Sequence, residues 1–373
     1  MQRLSKSVPC LILGAFILFS ISPVAHAAYQ GVSEKASRAG KFKSMIGEYE
    51  RRYREYIEAS ESAETDAQRA VAEKRKPSHT EFGKQLLGFV KEAPGDAVSF
   101  DALVWVLENL NSADSTAQLD EAVGLFEKQH LKSPRLKTAL PVLAACVSEK
   151  AELLLERLGE TGETREIRGL ALFHLAVGRS ARYDGKDKKR LASIEKMLDR
   201  VQKDYGNVQP DDEEKSLGKL AEGALFAVRY LRPGLVVPDV DGAAVAGKPF
   251  KLSSFRGKVV LLVFWGTWCG PCMAKVPFER KLMEMYSGRP FTVVGVNCGD
   301  EKSKAASVMK EQKMGWPSFF DGEDGPIVTR WNITVFPTVF LIDAQGIIRL
   351  KDTPDDAELE SAIAEALKQA EGK

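Results

Sequence analysis

The sequence predicts two kinds of structure in one chain, an all-α N-terminal domain followed by an α/β C-terminal domain. Through most of residues 33–230, apolar side chains recur at three- and four-residue steps, which is the spacing of amphipathic helices. From Leu231 onward, short β-branched runs alternate with helical patterns, the order expected of a sheet with parallel strands. A chain of 373 residues with 44% hydrophobic side chains fits two domains, and this composition excludes wholesale disorder.

The charge balance excludes some classes of function. The chain has 53 basic and 52 acidic residues, so its formal net charge is +1. A protein without a strong field of either sign is not expected to bind nucleic acid through a basic surface. No nucleotide, flavin or metal motif is apparent in the sequence, so we expect neither a metal nor a small-molecule cofactor.

Residues 1–27 are typical of a signal peptide. Arg3 and Lys6 precede an apolar run, Pro23 follows it, and Ala25-His26-Ala27 matches the pattern that signal peptidases cleave. The apolar run is shorter than the ~20 residues that cross a bilayer comfortably. We therefore expect cleavage before Ala28 and a periplasmic or secreted protein, in a compartment where thiols tend to oxidise. An uncleaved N-terminal anchor is the alternative.

Residues 28–230 are expected to form the helical domain, as a bundle or a stack of helical hairpins. A first helix is predicted around residues 42–57, where aromatic and aliphatic side chains share one face. Further helices are predicted at Phe82–Lys91, Phe100–Leu110, Ala117–His130, Thr138–Leu158, Thr164–Val177, Asp187–Val201 and Asp212–Tyr230. Cys146 lies in an apolar stretch and is expected to be a small buried side chain. The pattern of this domain assigns no chemistry.

Residues 231–373 are expected to form the α/β domain. Strands are predicted at Lys258–Trp265, Phe291–Asn297, Thr338–Asp343 and Ile347–Leu350. Helices are predicted at Cys272–Tyr286, Ser303–Lys313 and Asp355–Leu367. Strands that alternate with crossover helices favour a sheet with parallel pairs, closed here by a hairpin and a last helix.

A C-x-x-C pair, Cys269-Gly270-Pro271-Cys272, lies where the first strand gives way to a helix. Three residues of helix bring both thiols to one face, at a spacing that suits a disulfide. At a helix start, unpaired N–H groups and the helix dipole favour the thiolate, and the pKa of such a cysteine falls to ~3.5–7.5 from ~8.5. Cys269 is therefore the expected nucleophile and Cys272 the resolving thiol in thiol–disulfide exchange.

Other interpretations of the pair are weaker. A zinc site needs a second pair of ligands, and no histidine lies beyond His174. A haem-attachment motif needs a histidine where Met273 stands. A purely structural disulfide would close so short a loop that it would remove little chain entropy.

From about Pro233 to Lys373 the sequence resembles the TlpA/ResA-like thiol–disulfide oxidoreductases, thioredoxin-fold proteins of the AhpC/TSA–redoxin group. The residues that carry the resemblance are Lys248–Gly257, Lys258–Trp265, Trp268–Cys272, Pro277 and Val335–Thr338. The first of these segments resembles the strand pair that such proteins add before the thioredoxin core. Pro277 would kink the helix that begins at the cysteines.

The resemblance implies roles for further residues. Pro337 corresponds to a proline that is cis in the family and faces the cysteine pair. The backbone of Phe336 would then offer hydrogen bonds to a substrate chain lying across Cys269 as an added strand. Trp265 is expected to contact the substrate, and Trp268 to support the cysteine pair together with Gly270 and Pro271.

The sequence also departs from related patterns. Thioredoxins carry a buried Asp where this chain has Val263, so proton transfer to Cys272 must come from elsewhere. ResA-like proteins use an acidic residue after the next strand, which makes Asp300 a candidate and Glu301 a weaker one; either could equally be a solvated loop acid. Cys298, in the same segment, is expected to be a structural or incidental thiol, and the alternative is a redox-sensing third cysteine.

These observations predict an extracytoplasmic oxidoreductase that reduces protein disulfides, serves cell redox homeostasis and receives electrons from a membrane partner. The reducing direction is suggested by Gly270-Pro271, which resembles the more reducing members. A thiol peroxidase is a weaker alternative, because Thr267 stands only two residues before Cys269 and lacks the preceding proline of the peroxiredoxin pattern. The other alternative is a partner-binding helical protein with a vestigial thioredoxin-like module.

Overall fold

The computed structural model describes residues 37–110, 113–183, 185–211, 214–322, 325–352 and 355–372. The described residues form two compact units, one made of residues 37–182 and 203–217 and the other of residues 183–202 and 218–372. The predicted signal peptide lies outside these ranges. Within them, no helix combines the length and the apolar character needed to cross a membrane.

The first unit is helical, as the sequence predicts. Along the chain, the helices up to the α/β region are α1 (Arg38–Glu61), α2 (Asp66–Glu73), α3 (His79–Glu92), α4 (Ala97–Asn109), α5 (Thr116–His130), α6 (Leu136–Ala145), α7 (Glu149–Thr161), α8 (Arg165–Ala181), α9 (Lys188–Tyr205) and α10 (Leu217–Tyr230). Polar side chains fix several helix starts. At α4, for example, Asp96 caps the helix by accepting the N–H of Ser99 and also binds the guanidinium of Arg38.

One predicted helix is wrong. The sequence pattern predicts a single helix over Thr138–Leu158, whereas the chain forms α6 and α7 with a break between them. Cys146 has extended backbone angles after α6, and the Ser148 hydroxyl caps α7 by accepting the N–H of Ala151. The sequence pattern does not mark this break, because apolar residues continue through it and are buried on both sides of it. Cys146 is buried, as predicted.

The second unit contains a five-stranded sheet with the strand order β5-β4-β3-β6-β7. Its elements are β1 (Asp241–Gly242), β2 (Phe250–Lys251), β3 (Val259–Trp265), α11 (Gly270–Met285), β4 (Phe291–Cys298), α12 (Lys302–Glu311), β5 (Ser318–Gly322), α13 (Pro326–Arg330), β6 (Thr338–Ile342), β7 (Ile348–Lys351) and α14 (Asp356–Ala370). Strands β3, β4 and β5 are parallel, β6 and β7 are antiparallel to their neighbours, and β1 and β2 form a separate antiparallel pair.

The sequence analysis missed β5 and α13 in this unit, and of the strand pair expected within Lys248–Gly257 only β2 lies there, since β1 comes earlier in the chain. Strand β5 has only Phe319 and Phe320 as apolar side chains and follows directly after Pro317, so it lacks the β-branched run of the other strands. It forms because the edge of β4 offers it a parallel partner. Helix α13 is short, and Asp321 accepts the N–H groups of Ile327 and Val328 at its start.

The central strand β3 is buried on both faces, which explains its uninterrupted apolar sequence. Leu261, Val263 and Trp265 belong to the core layer that includes α11 and α14. Leu262 and Phe264 belong to the opposite layer, with Trp331 and Phe340 among others. The carboxyl end of β3 therefore emerges between two packed layers, and the cysteine pair follows immediately.

Helix α10 adds to the second unit. Its Phe226 packs against the core layer that contains Phe264, and the guanidinium of Arg330 lies 5.0 Å from the Phe226 ring centroid. The compact unit thus takes in residues that the sequence analysis assigns to the helical domain. The predicted boundary at residue 231 stays a prediction about where an independent domain begins.

Candidate active site

Cys269 and Cys272 form a disulfide at the start of α11, with an S–S distance of 2.03 Å and a Cα–Cα distance of 5.2 Å. Cys269 is the N-cap residue, and its Sγ accepts the N–H of Cys272 at 3.1 Å. Pro271 lies in the first turn, where the missing N–H costs nothing. When the disulfide opens, the helix dipole and these N–H groups favour a thiolate on Cys269.

The two sulfur-bearing residues are both largely covered in the disulfide state. Cys269 is 4% exposed and Cys272 is 2% exposed. The neighbouring Trp268 is 48% exposed, so the accessible surface at this point is an indole. The indole of Trp268 is therefore exposed beside a covered cysteine pair.

Trp268 is held in place from two sides. Its ring meets that of Phe336 edge to face, with centroids 5.1 Å apart, and its Nε1 donates to the backbone carbonyl of Cys298 at 3.0 Å. Gly266 lies beneath the indole, where a Cβ would come within 2.4 Å of Trp268 Nε1. Only glycine fits at position 266, so the close approach of the Trp268 indole to the backbone depends on Gly266.

The peptide between Phe336 and Pro337 is cis, as the resemblance implies. Strand β6 begins at Thr338, which pairs with Phe264 near the end of β3. Pro337 therefore lies one residue beyond the ladder, beside the end of β3 from which the cysteine loop departs. Its role towards substrate, like that of the Phe336 backbone, stays a prediction.

Trp265 lies inside the protein. It is 2% exposed, and its Nε1 donates to Ser318 Oγ at 3.0 Å. This hydrogen bond ties β3 to β5 and leaves no surface for a docked chain. The predicted contact between Trp265 and substrate remains a prediction that this burial does not support.

Asp300 is buried and organises the loop before the cysteines. Its Oδ2 accepts the N–H of Thr267 and the side-chain amide of Asn297, both at 2.8 Å, and its Oδ1 accepts the Thr267 hydroxyl. The Lys304 ammonium lies 3.7 Å from Oδ1. Within the described ranges these groups occupy the carboxylate, and neither cysteine donates to it. The predicted proton-transfer role of Asp300 stays a prediction; the neighbouring Glu301 is exposed.

Glu279 is a residue that the sequence analysis missed. It lies on α11 and is 6% exposed, and burial raises its pKa to about 7, with the positive charge of Lys275 acting in the opposite direction. It stands seven residues after Cys272, which places both on the buried face of the helix. The signal in the sequence was an acidic residue, Glu279, at a position of the helical pattern where an apolar core side chain is expected.

Cys298 is buried and is not in a disulfide. Its Sγ donates to the carbonyl of Val296 at 3.4 Å. Burial raises the pKa of this thiol, and the nearby acids Asp321 and Asp300 raise it further. A thiol that stays protonated is a poor nucleophile, so the structure favours the incidental role over a redox-sensing one.

The comparisons with known proteins concern the second unit. Residues 233–367 match the family model described as Redoxin. The thiol-disulfide oxidoreductase ResA of Bacillus subtilis (strain 168) is 32% identical over 132 residues, which is 35% of this chain and 73% of the relative. The ResA of Geobacillus thermodenitrificans is 30% identical over 128 residues, 34% of this chain and 70% of the relative. The chain belongs to the ResA-like thiol–disulfide oxidoreductases.

The ResA-like identity confirms the resemblance and, with it, the predicted thioredoxin-like fold of the C-terminal region. Coverage is partial, since the chain spans 66% of the ResA of Geobacillus kaustophilus, to which it is 32% identical over 116 residues. Among solved structures, a putative thiol:disulfide interchange protein DsbE from Chlorobium tepidum is 31% identical, covering 36% of this chain and 98% of that one with a TM-score of 0.35. In the ranges that the structure describes, no cluster of three or more His, Cys, Asp or Glu side chains could hold a metal.

Proposed function

We propose that this ResA-like protein is an extracytoplasmic oxidoreductase that reduces disulfides in other proteins. The observation that carries the proposal is the Cys269–Cys272 disulfide at the N-terminus of α11. A helix start is where a thiolate is best stabilised, and thiolate is the reactive species in disulfide exchange. The exposed Trp268 favours a protein substrate, because it offers apolar contact area next to the sulfur atoms.

The reaction proceeds in two exchange steps. The Cys269 thiolate attacks one sulfur of the substrate disulfide, forming a mixed disulfide and releasing the other substrate sulfur as a thiolate, which takes up a proton. The Cys272 thiol then loses its proton and attacks Cys269, forming the intramolecular disulfide and releasing the second substrate sulfur. Two electrons pass from the dithiol to the substrate.

Substrate docking follows from the surroundings of the pair. An extended chain lying along Phe336 would pair with its backbone as an added strand, which brings the substrate disulfide over Cys269. The edge-to-face contact of Trp268 with Phe336 makes one apolar surface of both rings. This arrangement fits substrates recognised mainly through their backbone, with little dependence on sequence.

The location and the electron supply are part of the same proposal. The basic, apolar and A-x-A segments of residues 1–27 support export and cleavage before Ala28. Outside the cytoplasm each cycle leaves the protein oxidised, so a membrane partner must return two electrons to the Cys269–Cys272 disulfide. Sequencing the N-terminus of the exported protein tests the first part, with Ala28 as the expected residue; an unprocessed N-terminus contradicts it.

An insulin-reduction assay tests the activity directly. Wild type is expected to reduce insulin, and Cys269→Ser to lose at least about 100-fold of the rate, because the nucleophile is removed. Cys298→Ser is the matched control and is expected to keep the wild-type rate. The reducing direction predicts a midpoint potential below about −200 mV against glutathione; a higher potential contradicts the direction and leaves the exchange chemistry standing.

Trapping identifies the substrates. The Cys272→Ala variant lacks the resolving thiol, so mixed disulfides on Cys269 should accumulate and be recovered from the exported fraction. A wild type that is inert on insulin, together with an empty trap, contradicts the proposal and favours partner binding by the helical domain. A peroxidase role has little support, because the Thr267 hydroxyl is bound to Asp300.

A further inference from the structure

Glu279 and Cys272 share the buried face of α11. Residues seven apart on a helix are separated by about 10 Å along its axis, and helical side chains lean towards the N-terminus. The Glu279 carboxyl group therefore leans from its Cα towards Cys272. Between them on the same face lies the buried Val276, so the two side chains do not meet directly along the helix.

A small cavity adjoins Glu279. Its volume is about 20 Å³, which is enough for one water molecule. The cavity is lined by Leu261, Val263, Lys275, Phe278, Glu279, Pro337, Val339 and Leu359. Several of these residues, among them Val263 and Val339, belong to the same core layer as Cys272. The cavity and the resolving thiol thus border one apolar region between α11 and the sheet.

The charges that face Glu279 are few. Strands β3 and β6 contribute only apolar side chains to the cavity wall, and α14 contributes Leu359. On α11 itself, Lys275 is the nearby cation, and its ammonium binds Asp356 of α14 at 2.5 Å. Within the described ranges, the Glu279 carboxyl makes no hydrogen bond or ion pair. A buried carboxyl without donors favours its neutral form, and so it can hold a proton near neutral pH.

We propose that Glu279 is the group that exchanges a proton with Cys272, through water that enters the apolar region between this cavity and the thiol. The inference rests on the proposed function, since it concerns the resolving step of disulfide exchange. Val263, in the cavity wall, stands where thioredoxins carry a buried Asp. In this chain the Glu279 carboxyl borders that cavity from α11, whereas the thioredoxin Asp would border it from the strand that corresponds to β3.

When Cys272 attacks the mixed disulfide on Cys269, its S–H bond breaks and the proton passes along water to the Glu279 carboxylate. The S–S bond between the two cysteines forms, the bond to the substrate breaks, and the substrate sulfur leaves as a thiolate. When the disulfide is reduced again, Glu279 returns the proton to the Cys272 sulfur.

Stoichiometric reaction of the reduced protein with 5,5′-dithiobis(2-nitrobenzoate) separates the two steps. Attack by Cys269 releases a first thionitrobenzoate, and closure by Cys272 releases a second; Cys272→Ala should show the first release alone. In wild type, the rate of the second release should rise with pH through an inflection near neutrality. In Glu279→Gln, the first release should be unchanged, the second should slow about tenfold, and this inflection should vanish.

The controls distinguish Glu279 from other acids. Glu284→Gln changes an exposed acid of the same helix and should leave both releases unchanged. Glu279→Asp keeps a carboxyl and should retain the inflection at a lower rate, and it also carries the test if the Gln variant does not fold. A wild-type pH profile in Glu279→Gln overturns the proposal, as does loss of the inflection in Asp300→Asn alone. Absence of the first release in wild type would instead contradict the proposed function.

Discussion

Two buried carboxyl groups lie near the cysteine pair, Asp300 in the loop after β4 and Glu279 on α11, and their surroundings are opposite. Asp300 accepts hydrogen bonds from Thr267 and Asn297, which fix the loop that leads to Cys269. Glu279 faces an apolar cavity and has only the charge of Lys275 to oppose its burial. Burial alone therefore does not decide what an acid does. A carboxyl surrounded by donors can anchor a loop, whereas burial without donors favours the neutral form of a carboxyl.

The largest expected effect comes from removing the anchor. Asp300→Ala should lower the free energy of unfolding by about 4 kcal/mol, because charge-assisted hydrogen bonds are lost and the Thr267 N–H is left unsatisfied. Urea denaturation measures the change. Glu301→Ala, at an exposed neighbouring position, is the control and should stay within about 0.5 kcal/mol of wild type. Equal stability of the Asp300→Ala and Glu301→Ala variants would mean that Asp300 does not anchor the loop. Its contrast with Glu279 would then be lost.

The next effect is a pH dependence of stability that belongs to Glu279. Its pKa is raised from 4.5 to about 7 in the folded protein, so between these pH values the folded state holds a proton that the unfolded state has lost. The free energy of unfolding should therefore fall by about 3 kcal/mol as the pH rises through this window. Glu279→Gln should lack this part of the decline and be more stable than wild type above pH 7.

Denaturation series at several pH values test this expectation. The difference between wild type and Glu279→Gln isolates the contribution of one carboxyl, because the other titrating groups are common to both. A constant difference across the window would mean that Glu279 ionises normally. In that case both its comparison with Asp300 and its proposed proton exchange would fail.

The smallest effect concerns the charge beside Glu279. The Lys275 ammonium lowers the Glu279 pKa, so Lys275→Gln should move the inflection of the second thionitrobenzoate release to higher pH. Stability should change by less than about 0.5 kcal/mol, since the Lys275–Asp356 pair has side chains 34% and 50% exposed. Lys281→Gln breaks a similar pair with Glu360 and should leave the inflection where it is. Equal shifts in both variants would point to a general charge effect.

The sequence was sufficient to predict the cysteine pair, because its chemistry is local. A buried strand, a helix start and a three-residue spacing are all readable within about ten residues, and Cys269 is indeed the N-cap of α11. The alternation of strands and helices in the second unit was readable for the same reason. The break between α6 and α7 was not, since a Ser cap inside an apolar run gives a weak local signal.

Glu279 and Asp300 illustrate what a local pattern cannot give. The importance of Glu279 depends on Val263, Pro337 and Leu359, which come from three other segments of the chain. Asp300 could be selected as an acid after β4, but its hydrogen bonds to Thr267 join groups 33 residues apart. Whether a carboxyl meets donors or apolar walls is decided by tertiary packing, and a single sequence does not display it.

The hydrogen bond from Trp268 to residue 298 has a practical consequence. The acceptor is the backbone carbonyl, so the indole is positioned by the course of the main chain and not by the thiol that happens to follow it. Cys298 is thus a replaceable side chain beside an irreplaceable peptide unit. Together with Cys146 and Cys10, it can be exchanged for alanine to give a protein in which every thiol label reports on Cys269 and Cys272.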